Sequence, residues 1–196
     1  MTSVGYPLGG PTYTYSFDSM SRPAGLTDKN SNTIVSGLSF GPANEVLSMN
    51  YNGTGEIRTY NNMLQVTGVV GNGIGMTYVY PGPGANNGKA CLAIDYAAGE
   101  QVAYSYDSLN RLSTANAYTN GGASGCTPSG SQTWGQSYTY DVYGNLTDKN
   151  VTAGSAPSLH VIADAATNRV SGFGYDANGN ATAKSDGTMD TAPRIA

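Results

Sequence analysis

One short pattern recurs along this chain and limits its folding more than any other feature. An aromatic residue is followed by Asp, and a hydrophobic residue comes five places beyond the Asp. The clearest copies are Tyr104, Tyr106, Asp107, Asn110, Arg111 and Leu112; then Tyr138, Tyr140, Asp141, Gly144 and Leu146; then Phe173, Tyr175, Asp176 and Gly179. A less regular copy holds Tyr15, Phe17, Asp18 and Arg22, and degenerate ones stand at Phe40, Gly41 and at Tyr60, Asn61. The aromatic slot falls at 17, 40, 60, 80, 106, 140 and 175. Such a period, one hairpin plus a variable loop, marks a repeat architecture.

Each slot has a physical role. Tyr104 and Tyr106 are two apart, so on a strand both rings face one side. Asp107 then stands at the strand end, where its carboxylate can accept N–H bonds from the turn. Asn110, Gly144 and Gly179 occupy a position that needs positive φ. Leu112 and Leu146 re-enter a strand. The unit reads as strand, turn, strand.

Composition agrees. The chain has 27 Gly and 9 Pro for turns, while 15 Tyr supply the large apolar area that only 3 Phe and 1 Trp leave missing. Each buried phenol then needs a hydrogen-bond partner. Charged residues are 11% and the net charge is −4, so charge repulsion does not govern the chain. There is no Lys/Arg cluster and the pI is near 4.7, which argues against nucleic acid. No apolar run reaches the eighteen or so residues of a membrane span. The first residues lack the basic and apolar regions of a signal peptide, so an internal piece or an unexported chain is expected. One His and two Cys cannot make a Cys-His zinc site, and no cofactor is expected.

The motif resembles the RHS or YD repeats of bacterial polymorphic toxins, insecticidal toxin-complex proteins and teneurins. The likeness runs from about Tyr13 to Asp186, with degenerate copies about 13–80 and clearer ones about 104–186, and makes 1–196 a single repeat region. It implies an all-β fold of antiparallel hairpins in a curved open sheet, part of a shell. Six or so repeats are too few for a closed shell, so the chain reads as an excerpt of a repeat array. The implied role is a structural or interaction scaffold within a larger toxin-enclosing or cell-surface protein. Its partners would be neighbouring repeats or an enclosed C-terminal domain, and its location secreted or at the cell surface. Open sheet edges would favour a homodimer, the early edge near Tyr13 to Phe17 being less protected than the late one at Lys184, Asp186, Asp190, Pro193 and Arg194.

Two other classes are weighed against the scaffold. A carboxylate-based glycan hydrolase needs two acids across a sugar, and Glu45, Glu56, Asp95 and Glu100 stand outside the motif. A carbohydrate-binding adhesion module would use tyrosine rings beside polar side chains. The repeated acids Asp18, Asp107, Asp141 and Asp176 are explained by turn capping. Ser158, His160 and Asp164 lack the strained elbow of a hydrolase nucleophile. Gly71, Gly73 and Gly75 lead into a β-type run, not a helix, and so read as a turn rather than a phosphate loop. The segment 158–166 is the one short helix candidate. Pro81 to Gly88 and Asn120 to Gly125 read as long hairpin tips. Cys91 and Cys126 precede consecutive copies; a bridge and two free thiols are equally expected, since family shells act outside the cytosol but no export signal is seen. Asn52, Asn145, Asn150 and Asn180 match the N-glycosylation pattern, which an Asn- and Thr-rich chain meets by chance.

Overall fold

The structure, a computed structural model, describes residues 2–119 and 121–184. Asn120 in the second long loop, and Asp186, Asp190, Pro193 and Arg194 of the late edge, lie outside the described residues. Strands follow one another in a meander: β1 (Ser3–Gly5), β2 (Thr12–Phe17), β3 (Pro23–Asp28), β4 (Thr33–Phe40), β5 (Val46–Tyr51) and β6 (Thr54–Tyr60). Then come β7 (Val66–Gly71), β8 (Ile74–Val79), β9 (Leu92–Asp95), β10 (Glu100–Tyr106), β11 (Leu112–Thr119), β12 (Ala123–Ser124) and β13 (Thr127–Pro128). The last are β14 (Gln132–Tyr140), β15 (Leu146–Ala153), β16 (Leu159–His160), β17 (Phe173–Tyr175) and β18 (Ala181–Lys184). Fourteen of them form one antiparallel sheet in chain order from β1 to β16, skipping only the β12–β13 hairpin; β17 and β18 pair separately. The order is open, with β1 and β16 at its ends. No helix occurs among the described residues. The helix candidate at 158–166 is instead the short strand β16 followed by a turn, because Leu159 and His160 pair with Lys149 and Asp148.

The chain divides into two compact units, the described residues of Met1–Tyr104 with Asn116–Thr133, and those of Ser105–Ala115 with the residues from Trp134 onward. In the first unit, register sorts side chains by face. Tyr15, Leu26, Val35 and Tyr51 are successive cross-strand partners, and so form one row on one face. A second row on that face runs Arg58, Val69, Met76, Asp95 and Glu100. The opposite face carries Thr14, Ser16, Thr27, Ser48, Asn50 and Thr59, with Ile57 and Val70 as apolar exceptions. The buried hydrophobic residues found are few: Leu92, Ala93 and Ile94, with Ala115 and Ala117 on β11. Many large apolar side chains are exposed, Ile57 and Val70 at 59% each. Sheet pairing and turn bonds, more than a central core, therefore hold this chain together.

Candidate functional site

The repeated motif builds one kind of turn. Seven five-residue turns among the described residues share two bonds: the first N–H reaches the fifth carbonyl, and the fourth N–H reaches the first carbonyl. They span 18–22, 28–32, 41–45, 61–65, 107–111, 141–145 and 176–180. The fourth residue has positive φ in every case: Ser21, Ser31, Asn44, Leu64, Asn110, Gly144 and Gly179. This is a three-residue hairpin loop closed by a residue in the left-handed region. Leu64, at φ 59°, is the least suited to that region, which crowds Cβ against the carbonyl.

Asp fills the first position for a definite reason. Asp107 Oδ1 accepts from Leu109 N–H at 2.9 Å and Arg111 N–H at 2.8 Å, while Oδ2 accepts from Arg111 Nε at 2.7 Å. Asp18 repeats this with Met20 and Arg22. Asp141 and Asp176 do so with Asn145 and Asn180 as the fifth residue. Asp28 forms the same turn with Asn30 and Asn32, outside the recognised copies. Bonds from the Arg111 N–H and guanidinium hold the Asp107 carboxyl below its usual range, and the Asn145 side chain leads the same effect on Asp141. These carboxylates stay ionised and fully occupied, which is the opposite of a poised acid.

Glu45 joins this group, although the sequence placed it outside the motif. Gly41 takes the first position of its turn, and Glu45, the fifth, folds back so that Oε2 accepts from Ala43 N–H at 2.9 Å. A Cβ on Gly41 would collide with the Glu45 carboxylate. The carboxylate has moved from one side of the turn to the other.

A second device links several repeats to the one before. Tyr60 donates to the Val46 carbonyl at 2.8 Å, Tyr80 to Val66 at 3.1 Å, and Tyr140 to Leu112 at 2.8 Å. Each acceptor is the first residue after the preceding turn. The Arg111 guanidinium carbon lies 4.5 Å above the Tyr140 ring, and that of Arg22 lies 4.4 Å above Phe40. Thus Arg111 closes its own turn through Nε and roofs the next aromatic with its guanidinium plane. Phe40 has no hydroxyl, and there Arg22 Nη1 donates to Asn44 Oδ1 at 3.1 Å. Tyr175 holds the separate β17–β18 hairpin the same way: it donates to the Val170 carbonyl at 3.2 Å, also accepts from Val170 N–H at 2.9 Å, and lies under Arg169 at 4.9 Å. Before four of the motif aromatics, Phe40, Tyr60, Tyr106 and Tyr140, stands a hydroxyl that bonds across its hairpin: Ser39 with Ser48, Thr59 with Thr67, Ser105 with Thr114, and Thr139 with Thr147. Burial raises the Tyr106 and Tyr138 phenols above their usual range, and Tyr138 donates to Gln136 Oε1 at 3.0 Å.

The remaining candidates are not gathered into a catalytic centre. Glu56 is taken by Arg58 at 2.5 Å. Asp95 and Glu100 are direct cross-strand partners, but Asp95 Oδ1 caps its own turn through Ala97 and Ala98 N–H. His160 Nδ1 meets Asp148 at 2.5 Å, and Asp164 instead caps the turn at Ala166 and Thr167, so Ser158, His160 and Asp164 form no triad. Thr139 and then His160 bring the Asp148 carboxyl down to about 2. Gly71 and Ile74 pair across the two-residue loop Asn72, Gly73, which is a hairpin turn. Among the described residues no three His, Cys, Asp or Glu side chains gather to hold a metal.

Cys91 and Cys126 are joined by a disulfide, with Cα atoms 5.4 Å apart. Buried Gln101 reinforces the same loop: its Nε2 donates to the Thr119 carbonyl at 2.9 Å and the Ser129 carbonyl at 2.6 Å.

No protein-family model and no curated protein matches the chain. Solved structures do. A TcdB2-TccC3 structure matches with a TM-score of 0.63 at 17% identity over 88% of this chain, and one with Cdc42 at 0.63, 18% and 88%. A TcdB2-TccC3-TEV structure matches at 0.62 and 18% over 94% of the chain. The chain spans only 11–12% of the length of these proteins. The resemblance to RHS/YD repeats thus holds at the level of the fold: this chain folds as a short stretch of the TcdB2-TccC3 toxin-complex chains does.

Proposed function

We propose that this chain is a wall segment: a run of clasped hairpins that serves as scaffold in a larger toxin-complex-type protein, with further repeats or an enclosed domain as its partner. The observation that carries the reading is the repeat-to-repeat clasp, in which Tyr140 bonds Leu112 beneath Arg111. A clasp that uses only one repeat and its neighbour can be copied indefinitely, which is what an array needs. The carboxylates engaged in turns and ion pairs support the same view. The sheet edges at β1 and β16 would extend by pairing with more hairpins or with a second copy.

Modularity tests this. Deleting residues 41–60 removes one whole repeat and joins Phe40 to the Asn61 turn, preserving the motif. The shortened protein should stay folded, with an unchanged β-type circular dichroism band shape and one cooperative melt. A deletion of 41–50, half a repeat, should abolish that melt. If both deletions behave alike, or if a catalytic activity is found that Asp95→Asn or Glu100→Gln removes without unfolding, the scaffold reading fails.

A further inference from the structure

We propose that the cavity formed by β14, β15 and the 155–157 segment receives an acidic side chain from a partner polypeptide. The charge balance of the chain singles this place out. Arg22, Arg58 and Arg111 each pair with a carboxylate, and Arg169 covers the Tyr175 ring. Lys29 is exposed, so water solvates it. Lys149 differs: it is half-buried on β15 and has no ion pair among the described residues. The carboxylate next to it in the chain cannot serve. Asp148 points to the other face, as successive strand residues do, and there Thr139 and His160 hold it.

The Lys149 side chain lines a cavity of about 260 Å³ together with Trp134, Gln136, Ser155, Ala156 and Pro157. Gln136, only 6% exposed, makes the wall rigid: it donates to the Pro157 carbonyl at 2.8 Å and accepts from the Tyr138 hydroxyl at 3.0 Å. The 155–157 segment is thereby tied to β14. The lining thus offers one cation, one hydroxyl donor, an indole and the apolar surface of Ala156 and Pro157, with no carboxylate. An acidic side chain answers each of these. Its carboxylate would meet the Lys149 ammonium in a charge-assisted bond, and its methylenes would lie against the indole and the proline. A neutral side chain would leave the ammonium unpaired, and a basic one would be repelled. Size favours a single side chain, since the volume falls below the range of about 300–1,000 Å³ usual for small-molecule pockets. This inference is independent of the scaffold role, because it concerns one cavity and not the array.

Trp134 is the one tryptophan of the chain, so its fluorescence reports on this cavity alone. The test titrates the whole chain with the acetylated, amidated peptide SGSESGS and with its counterparts carrying Gln or Lys in place of Glu. The Glu peptide should change the Trp134 emission in a saturable way and bind at least about tenfold more tightly than the Gln peptide, the effect of one lost bond to a charged group. Lys149→Met should abolish that preference, Lys149→Arg should keep it, and Lys149→Glu should transfer it to the Lys peptide. Melting temperatures identify any variant that fails to fold, and the Arg and Glu variants then decide the matter. No saturable change up to about 10 mM peptide would overturn the proposal. So would equal binding of the Glu and Gln peptides, or a preference that Lys149→Met and Lys149→Glu leave intact. Displacement of the Glu peptide by an equal concentration of acetate or benzoate would assign the cavity to a free small carboxylate and overturn the polypeptide partner.

Discussion

The Tyr140 hydroxyl donates to the Leu112 carbonyl at 2.8 Å across 28 residues of chain, while Arg111, bonded to its own turn at Asp107, roofs the Tyr140 ring. One aromatic thereby meets both the fifth and the sixth residues of the preceding turn unit. The motif's Tyr, Asp and Arg act as parts of one joint shared by two repeats.

Removing the hydroxyl isolates this joint. Tyr140→Phe keeps the ring under Arg111 but leaves a part-buried carbonyl without its donor. The expected loss is about 1 kcal/mol, a fall of roughly 2–4 °C in melting temperature. Arg111→Gln should lower it too, and the double variant should lose less than the sum, since both residues serve one contact. Strict additivity in that cycle would show that ring and guanidinium act independently.

Leu64 offers a stabilising change. It sits at φ 59° in the fourth turn position and is 52% exposed, so little packing is at stake. Leu64→Gly should raise stability by about 0.4–1 kcal/mol, because relief of backbone strain outweighs the greater freedom of the unfolded glycine. Leu64→Val should lower it. Chemical denaturation of the three proteins in parallel decides the matter; a glycine variant less stable than the parent would contradict the strain argument.

The displaced carboxylate at the third motif turn predicts a compensating pair. Gly41→Asp alone brings a Cβ into the space of Glu45 and should destabilise the turn, as should Glu45→Arg alone, which strips Ala43 N–H of its acceptor. Together they recreate the Asp18–Arg22 arrangement, with the new Arg placed as Arg22 is over Phe40. The double variant should melt above both single variants. A double variant melting below either would mean that the two positions are not exchangeable.

Acid should loosen the chain through its turns. The carboxyls of Asp18, Asp28, Asp107, Asp141 and Asp176 are held below the usual range by turn hydrogen bonds, and that of Asp148 falls to about 2. Folded values below the unfolded value of about 3.9 mean that their stabilisation is complete above about pH 4. It is lost as pH falls through the folded values, towards about 2 for Asp148. Melting temperature should therefore decline steadily between about pH 4 and pH 2. Asp148→Asn should flatten part of that decline; an unchanged slope would remove Asp148 from the account.

Reduction of Cys91–Cys126 frees a 35-residue separation. Chain-entropy reasoning puts its contribution at roughly 3–4 kcal/mol. Melting with and without reductant should show a large drop, and a Cys91→Ser, Cys126→Ser double variant should match the reduced protein. Two titratable thiols in the unreduced native protein would rule the bridge out.

The fold class and the likeness to RHS/YD repeats are legible in the order of residues alone, because strand alternation and turn chemistry are local. Tyr104 and Tyr106 share a face by spacing alone, and Asp107 reaches Arg111 within five residues. Asp28 also obeys the local rule, but Thr27 stands before it in place of the aromatic that marks the other copies. What tertiary structure decided are relations between residues 14 to 35 apart: Tyr60 with Val46, Tyr140 with Leu112, and Cys91 with Cys126. It also decided that Glu45 belongs to a motif turn, through a side chain that folds back over a glycine, and that His160 meets Asp148 rather than Asp164. The reason is physical. Variable loops between strands hide which residues become neighbours, since strand pairing fixes position by register and not by distance along the chain.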